Sequence, residues 1–151
     1  MRFMELAIEE AVEAKVAGEV PVGALIVHRD GEIISRAHNL TKTTYDPSAH
    51  AEINALRIAT EKIKNNILKD YDLFVTLEPC LMCMVAISNA HIRRLYFGAY
   101  ASQVCEFSSK ESSRYLSSGE CNHRPEIYGG ILEVKNKELI RAFFQSKRVL
   151  K

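Results

Sequence analysis

Residues 72–98 read DLFVTLEPCLMCMVAISNAHIRRLYFG, and this stretch decides how the chain is organised. Asp72 to Leu77 is short, apolar and rich in β-formers, which predicts a strand. Pro79 suits a helix start, and a helix over 80–90 would turn Val85, Ala86, Ile87 and Ala90 towards a core. Ile92 to Phe97 then reads as a second strand, closed by Gly98. Strand, helix and strand in direct succession call for a parallel pair joined by a right-handed crossover.

Working outward, Val22 to Val27 is nearly all apolar and predicts a buried strand. Asp30-Gly31 is a hairpin turn signal, with Glu32 to Ala37 returning as the partner. Residues 3–17 form an amphipathic helix that ends at Gly18. Its apolar side carries Phe3, Leu6, Ala7, Ala11 and Ala14; Glu5, Glu9 and Glu13 read as a solvated stripe. Pro47 disfavours helix at Asp46, and Ser48 is placed to cap a helix over 49–62 with Ile53, Leu56 and Ile58 among its apolar positions. Downstream, 99–125 is irregular, with seven serines from Ser102 to Ser118. A loop or short helices fit there, in the role of a lid or binding loop. Glu126 to Leu132 holds a short last strand interrupted by Gly129-Gly130. A final amphipathic helix over 134–148 carries Leu139, Ile140, Phe143 and Phe144. With no internal repeat and no linker, residues 1–151 read as one α/β domain.

The chain has 151 residues, is 47% hydrophobic and carries a net charge of +1. That is enough length for a sizeable core. The charge does not advertise nucleic-acid binding, although a local patch could suffice. The glutamate-rich start is no signal peptide, and no apolar run approaches membrane-spanning length. Two of the four cysteines have metal spacing and nothing suggests a disulfide framework, so a reducing, cytoplasmic setting is expected.

Two segments carry the chemistry. His50-Ala51-Glu52 offers an imidazole and a carboxylate at a helix start, and Cys80 and Cys83 are spaced i, i+3 on one helix face. One imidazole and two thiolates give zinc three ligands and leave a fourth position for water, the pattern of a catalytic site. Zinc would bring the pKa of that water from ~15.7 towards ~7. The helix start favours anionic sulfur. Glu52, close to the metal on another bearing, is the expected proton carrier. The competing reading is a structural zinc site, with Cys105, Cys121 or His123 as fourth ligand. Asn39, just past a strand, reads by position as a turn residue.

His-x-Glu followed by Pro-Cys-x-x-Cys is the signature of zinc-dependent deaminases. Across most of its length the chain resembles the bacterial tRNA-specific adenosine deaminases of the cytidine deaminase-like superfamily. The resemblance rests on Glu19-Val20-Pro21-Val22-Gly23-Ala24, His38-Asn39, Asp46 to Glu52, Thr76 to Cys83, Arg93 to Ala99 and Asn122 to Ile131. It implies a three-layer α/β/α fold with a mixed five-stranded sheet, a homodimer and one zinc per subunit. It also implies a substrate, the wobble adenosine of a tRNA anticodon loop, converted to inosine. His50, Cys80 and Cys83 would hold zinc and Glu52 would shuttle protons. Asn39 would hydrogen-bond the base, the Ala51 N–H would help orient it, and Val22 would line its pocket. One departure stands out: Tyr100-Ala101-Ser102-Gln103-Val104-Cys105 replaces the family's Asp and Lys followed by small residues, so Ala101 sits where a sugar-phosphate contact is expected. Asn54 also occurs in purine-base deaminases. A deaminase of free guanine or cytosine therefore stands as the alternative, and a non-catalytic zinc-stabilised RNA-binding protein as a more distant one. Arg93, Arg94, Lys147, Arg148 and Lys151 are candidate phosphate contacts, although a solvated surface charge is the default reading of each.

Overall fold

A computed structural model describes residues 1–105 and 110–149. The first half runs α1 (Arg2–Val16), β1 (Gly23–His28), β2 (Ile33–His38), α2 (Ala51–Ile63) and β3 (Tyr71–Leu77). The second runs α3 (Leu81–Asn89), β4 (Arg94–Ala99), α4 (Ala101–Val104), α5 (Lys110–Ser117), β5 (Glu126–Tyr128) and α6 (Glu133–Val149). The strands form one mixed sheet in the order β2-β1-β3-β4-β5. β1 is antiparallel to β2 and β3, whereas β3, β4 and β5 are parallel. The expected hairpin and crossover are both present.

Alternation along the strands divides the core into two layers. Ala24, Ile26, Leu73 and Val75 face α2 and α3, where Ala55, Leu56, Ala59, Met84 and Ile87 meet them. Leu25, Val27 and Phe74 face the other way, against Met4, Ala7 and Ile8 of α1 and Leu139 of α6. β1 is therefore covered on both sides, which is why Val22 to Val27 is an unbroken apolar run. α1 lies so close to β1 that a side chain at Gly23 would overlap the backbone of Ala7 and Ala11.

Several expected boundaries shift. Gly98 does not end β4; the strand continues through it to Ala99. The glycine is there because α6 crosses at that point, and a Cβ would collide with Asn136. Ser48 does not cap α2: the N-cap is His50, and the Ser48 hydroxyl instead donates to Asp46 Oδ1 at 2.6 Å. Ile58 is exposed, and Val85 and Ala86 are only half-buried. Glu9 of the acidic stripe is paired with Arg36, which also reaches Glu10. Arg93 is held by both oxygens of Asp72, and Arg94 by Glu126, so both guanidinium groups are engaged within the chain. The serine-rich stretch contains α4 and α5, two short helices. Ser108 and Ser109 lie outside the described residues, as does Lys151. The last strand stops at Tyr128, before the two glycines. No helix among the described residues is long and apolar enough to cross a membrane.

Candidate active site

The ends of α2 and α3 bring the two chemical segments together. Their N-caps are His50 and Cys80, both with extended backbone, so each helix begins at a functional residue. Both helix starts therefore direct unpaired N–H groups into one place, where they favour negative charge. His50 Nδ1 lies 3.6 Å from Cys80 Sγ and 3.5 Å from Cys83 Sγ.

These distances test the fit to a metal. Zn–N near 2.0 Å and Zn–S near 2.3 Å in a tetrahedron put nitrogen and sulfur about 3.5 Å apart. The ligand atoms of His50, Cys80 and Cys83 all lie within 4.8 Å of one another, and among the described residues they form the only such group. Cys121 and His123, weighed as a fourth ligand, are occupied elsewhere. The Cys121 thiol donates to the His123 carbonyl, and His123 Nε2 lies 2.7 Å from the Ile92 carbonyl oxygen. The Cys105 thiol donates to the Ala101 carbonyl. The donor set suits a tetrahedral soft-to-borderline ion with one position open, which is zinc in a catalytic setting.

Glu52 is buried, 4% exposed, yet its carboxyl is within hydrogen-bonding reach of the Cys83 thiol. Burial lifts this carboxyl to about 7. The hydrogen bond with Cys83 holds the Cys80 thiol down at about 4, helped by His50. The same hydrogen bond and burial push Cys83 up, and the contact with Cys80 raises His50. Cys80 is thereby favoured as a thiolate, the form in which sulfur binds a metal ion.

His50 and Cys80 of the cluster lie on the wall of a cavity of about 530 Å³, which Asn39, Ala51, Val22 and Glu52 also line. Val22 belongs at once to the core and to the wall of this cavity. Asn39 is 6% exposed; its Oδ1 accepts the Thr41 N–H at 3.2 Å, which leaves its NH2 group for the cavity. Ala101 and Cys105 of the α4 region, Glu111 of α5 and Phe144 of α6 also line the cavity. Phe144 is absent from the expected site because its spacing in α6 matches an ordinary core face. Asn54 proves to be a clamp: its Nδ2 donates to the carbonyls of His38 (2.9 Å) and Ala49 (3.1 Å). It ties the strand leading to Asn39 to the turn leading to His50.

Sheet order, paired helix starts and the His/Cys/Cys cluster together define a zinc protein of the cytidine deaminase-like class. The family model described as "Cytidine and deoxycytidylate deaminase zinc-binding region" matches residues 1–99. The chain is 46% identical over 148 residues to a tRNA-specific adenosine deaminase of Agrobacterium fabrum, covering 97% of this chain and 95% of that protein. A solved structure described under A-to-I editing by tRNA:A34 deaminases at the wobble position of transfer RNA superposes with a TM-score of 0.84. It is 43% identical and covers 91% of this chain and 98% of its own. A guanine deaminase from Bacillus subtilis superposes less well, with a TM-score of 0.66 at 30% identity, covering 97% and 92%. The chain belongs to the tRNA-specific adenosine deaminases of the cytidine and deoxycytidylate deaminase zinc-binding family.

Proposed function

We propose that this chain, as a single deaminase domain over residues 1–151, converts the wobble adenosine of a tRNA anticodon loop to inosine by hydrolysis. The observation that carries the reading is the buried Glu52 beside the His50, Cys80 and Cys83 cluster, in the wall of a cavity large enough for a nucleoside. A structural zinc site has no use for such a carboxyl. The substrate class is supported by the relatives: identity and superposition favour a tRNA deaminase over a guanine deaminase.

His50, Cys80 and Cys83 would hold the zinc, which when bound supplies a water acidified enough to react at neutral pH. The chain's own groups do the rest. Val22 packs on the base, and the Asn39 NH2 and the Ala51 N–H hydrogen-bond its edge. Glu52 takes a proton from the attacking water and delivers it to the adenine ring nitrogen. It then moves the second proton to the amine at C6, which departs as ammonia while the carbonyl of inosine forms. Water and adenosine give inosine and ammonia, with no other reactant. An anticodon-loop base is already unpaired, so drawing it into the cavity costs a few kcal/mol at most. Single-stranded loops are also where proteins read RNA bases individually.

Exposed Leu81 and Met82 at the start of α3, beside the cavity, support a homodimer in which a second copy covers them. A reduced, cytoplasmic location follows from thiol ligands and a tRNA substrate. The deciding experiment incubates zinc-loaded protein with an anticodon stem-loop bearing a wobble adenosine, and separately with free guanine and cytosine. Inosine in the stem-loop supports the reading; ammonia from a free base alone replaces it.

A further inference from the structure

Glu19 is a carboxylate with 0% exposure, yet it takes no part in the chemistry described above. It follows α1 and its side chain reaches the segment after β2. Its Oε1 accepts the backbone N–H groups of Lys42 (2.9 Å) and Thr43 (2.7 Å) and the Thr43 hydroxyl (3.0 Å). Its Oε2 takes a longer bond from the Thr41 hydroxyl at 3.4 Å. Burying a carboxylate is costly unless donors compensate it, and here the donors all come from one turn. That turn holds Asn39: the Thr41 N–H donates to Asn39 Oδ1, fixing which end of the amide meets the cavity. The Asn39 backbone is fixed as well, its N–H donating to the Val22 carbonyl at 3.1 Å.

We infer that Glu19 is a positioning residue for the base-binding amide of Asn39, acting through the turn Thr41-Lys42-Thr43. This rests on the reading of Asn39 as a contact to the base. Without Glu19 the turn loses the acceptor of three close donors. Thr41 then no longer dictates the Asn39 rotamer, and the base is held in a range of poses. Misplacement on the scale of 1 Å is enough to cost turnover heavily. The turn meets the approach to His50 through main-chain bonds, Leu40 N–H to the Ala49 carbonyl and Asp46 N–H to the Thr41 carbonyl, whereas Cys80 and Cys83 belong to α3 and its start, so zinc content is measured alongside turnover.

The test is a double-mutant cycle on zinc-loaded full-length protein, with E19A, N39A and E19A/N39A assayed on the wobble-adenosine stem-loop. E19A is expected to lower kcat by about tenfold or more in the wild-type background and by less than about twofold in N39A, with zinc content unchanged. E19Q keeps an acceptor oxygen for Lys42 and Thr43 and is expected to recover most of the loss. A readout independent of activity is the NMR signal of the Asn39 side-chain NH2 in the zinc-loaded protein, which shifts in E19A and returns in E19Q. Equal losses from E19A in both backgrounds, or an unmoved Asn39 signal, overturn the inference. Should E19A fail to fold, T43V removes one hydroxyl donor and runs the same cycle and the same NMR comparison at smaller amplitude. The wild-type assay is the separate control: no inosine there defeats the proposed function, whereas the NMR comparison still decides whether Glu19 orients Asn39.

Discussion

His50 Nδ1 and Cys83 Sγ lie 3.5 Å apart although 33 positions separate them in the chain. The contact is made by two helix starts that approach from the same side of the sheet, and it draws the two halves of the domain together. A metal bound there stabilises only the folded state. Stripping zinc with a chelator is therefore expected to lower the thermal midpoint, by about 2–4 °C for each kcal/mol of linkage. C83A is expected to abolish zinc retention and to unfold near the temperature of the stripped wild type. Calorimetry with metal analysis checks both. A C83A protein that keeps one equivalent of zinc would remove Cys83 from the ligand set.

Glu52 gives a sharper distinction, because its carboxyl is not needed to hold the ion. E52Q keeps the volume and is expected to fold and to retain zinc. Its kcat on the stem-loop should fall by about 10²–10⁴-fold, the usual worth of a positioned proton carrier. Near-wild-type turnover would assign the proton transfers to another group.

Asn54 joins the approach to Asn39 with the approach to His50 through two hydrogen bonds to main-chain carbonyls. N54A takes one donor from each carbonyl, of which Ala49 keeps the Leu40 N–H, and is expected to cost about 0.5–1.5 kcal/mol of stability. The variant is expected to keep zinc, to melt earlier and to turn over more slowly, since base contact and metal are no longer held in register. An unchanged denaturation midpoint would mean that the clamp contributes nothing.

Gly98 and Asn136 test the packing of α6 on the sheet. G98A forces a methyl group into the Asn136 side chain and is expected to cost about 1–3 kcal/mol. N136A removes the Asn136 part of that clash, leaving the Thr76 carbonyl oxygen 2.6 Å from the added Cβ, and gives up the bonds that Asn136 Nδ2 makes to the carbonyls of Ile131 and Leu132. The double variant should lose less than the two single losses added together. Strict additivity in urea titrations would show that the two positions do not meet.

The strands and helices were legible in residues 22–37 and 72–98 because periodicity and turn residues act locally. Apolar runs mark strands covered on both faces, and Asp30-Gly31 marks the hairpin. The zinc donors were legible because their spacing is itself local: two residues from His50 to Glu52 and three from Cys80 to Cys83. Gly98 misled for the converse reason. A glycine after a strand looks like a stop, and only the crossing of α6 reveals that it sits inside β4. Ser48 looked like a cap from its neighbours, yet the Asp46 side chain takes its hydroxyl and leaves His50 at the helix start.

The sequence by itself determined the chemistry, because residue types at short fixed spacing set which atoms can bind a metal and carry a proton. Tertiary structure alone decided what surrounds that chemistry. It placed Asn39, a turn residue by position and a base contact by family resemblance, in the cavity wall, gave Glu19 and Asn54 their partners, and brought Phe144 from the far end of the chain to the same wall. Those contacts join segments that are distant in sequence, and a hydrogen bond or a packed ring across such a distance leaves no periodic trace in the order of residues.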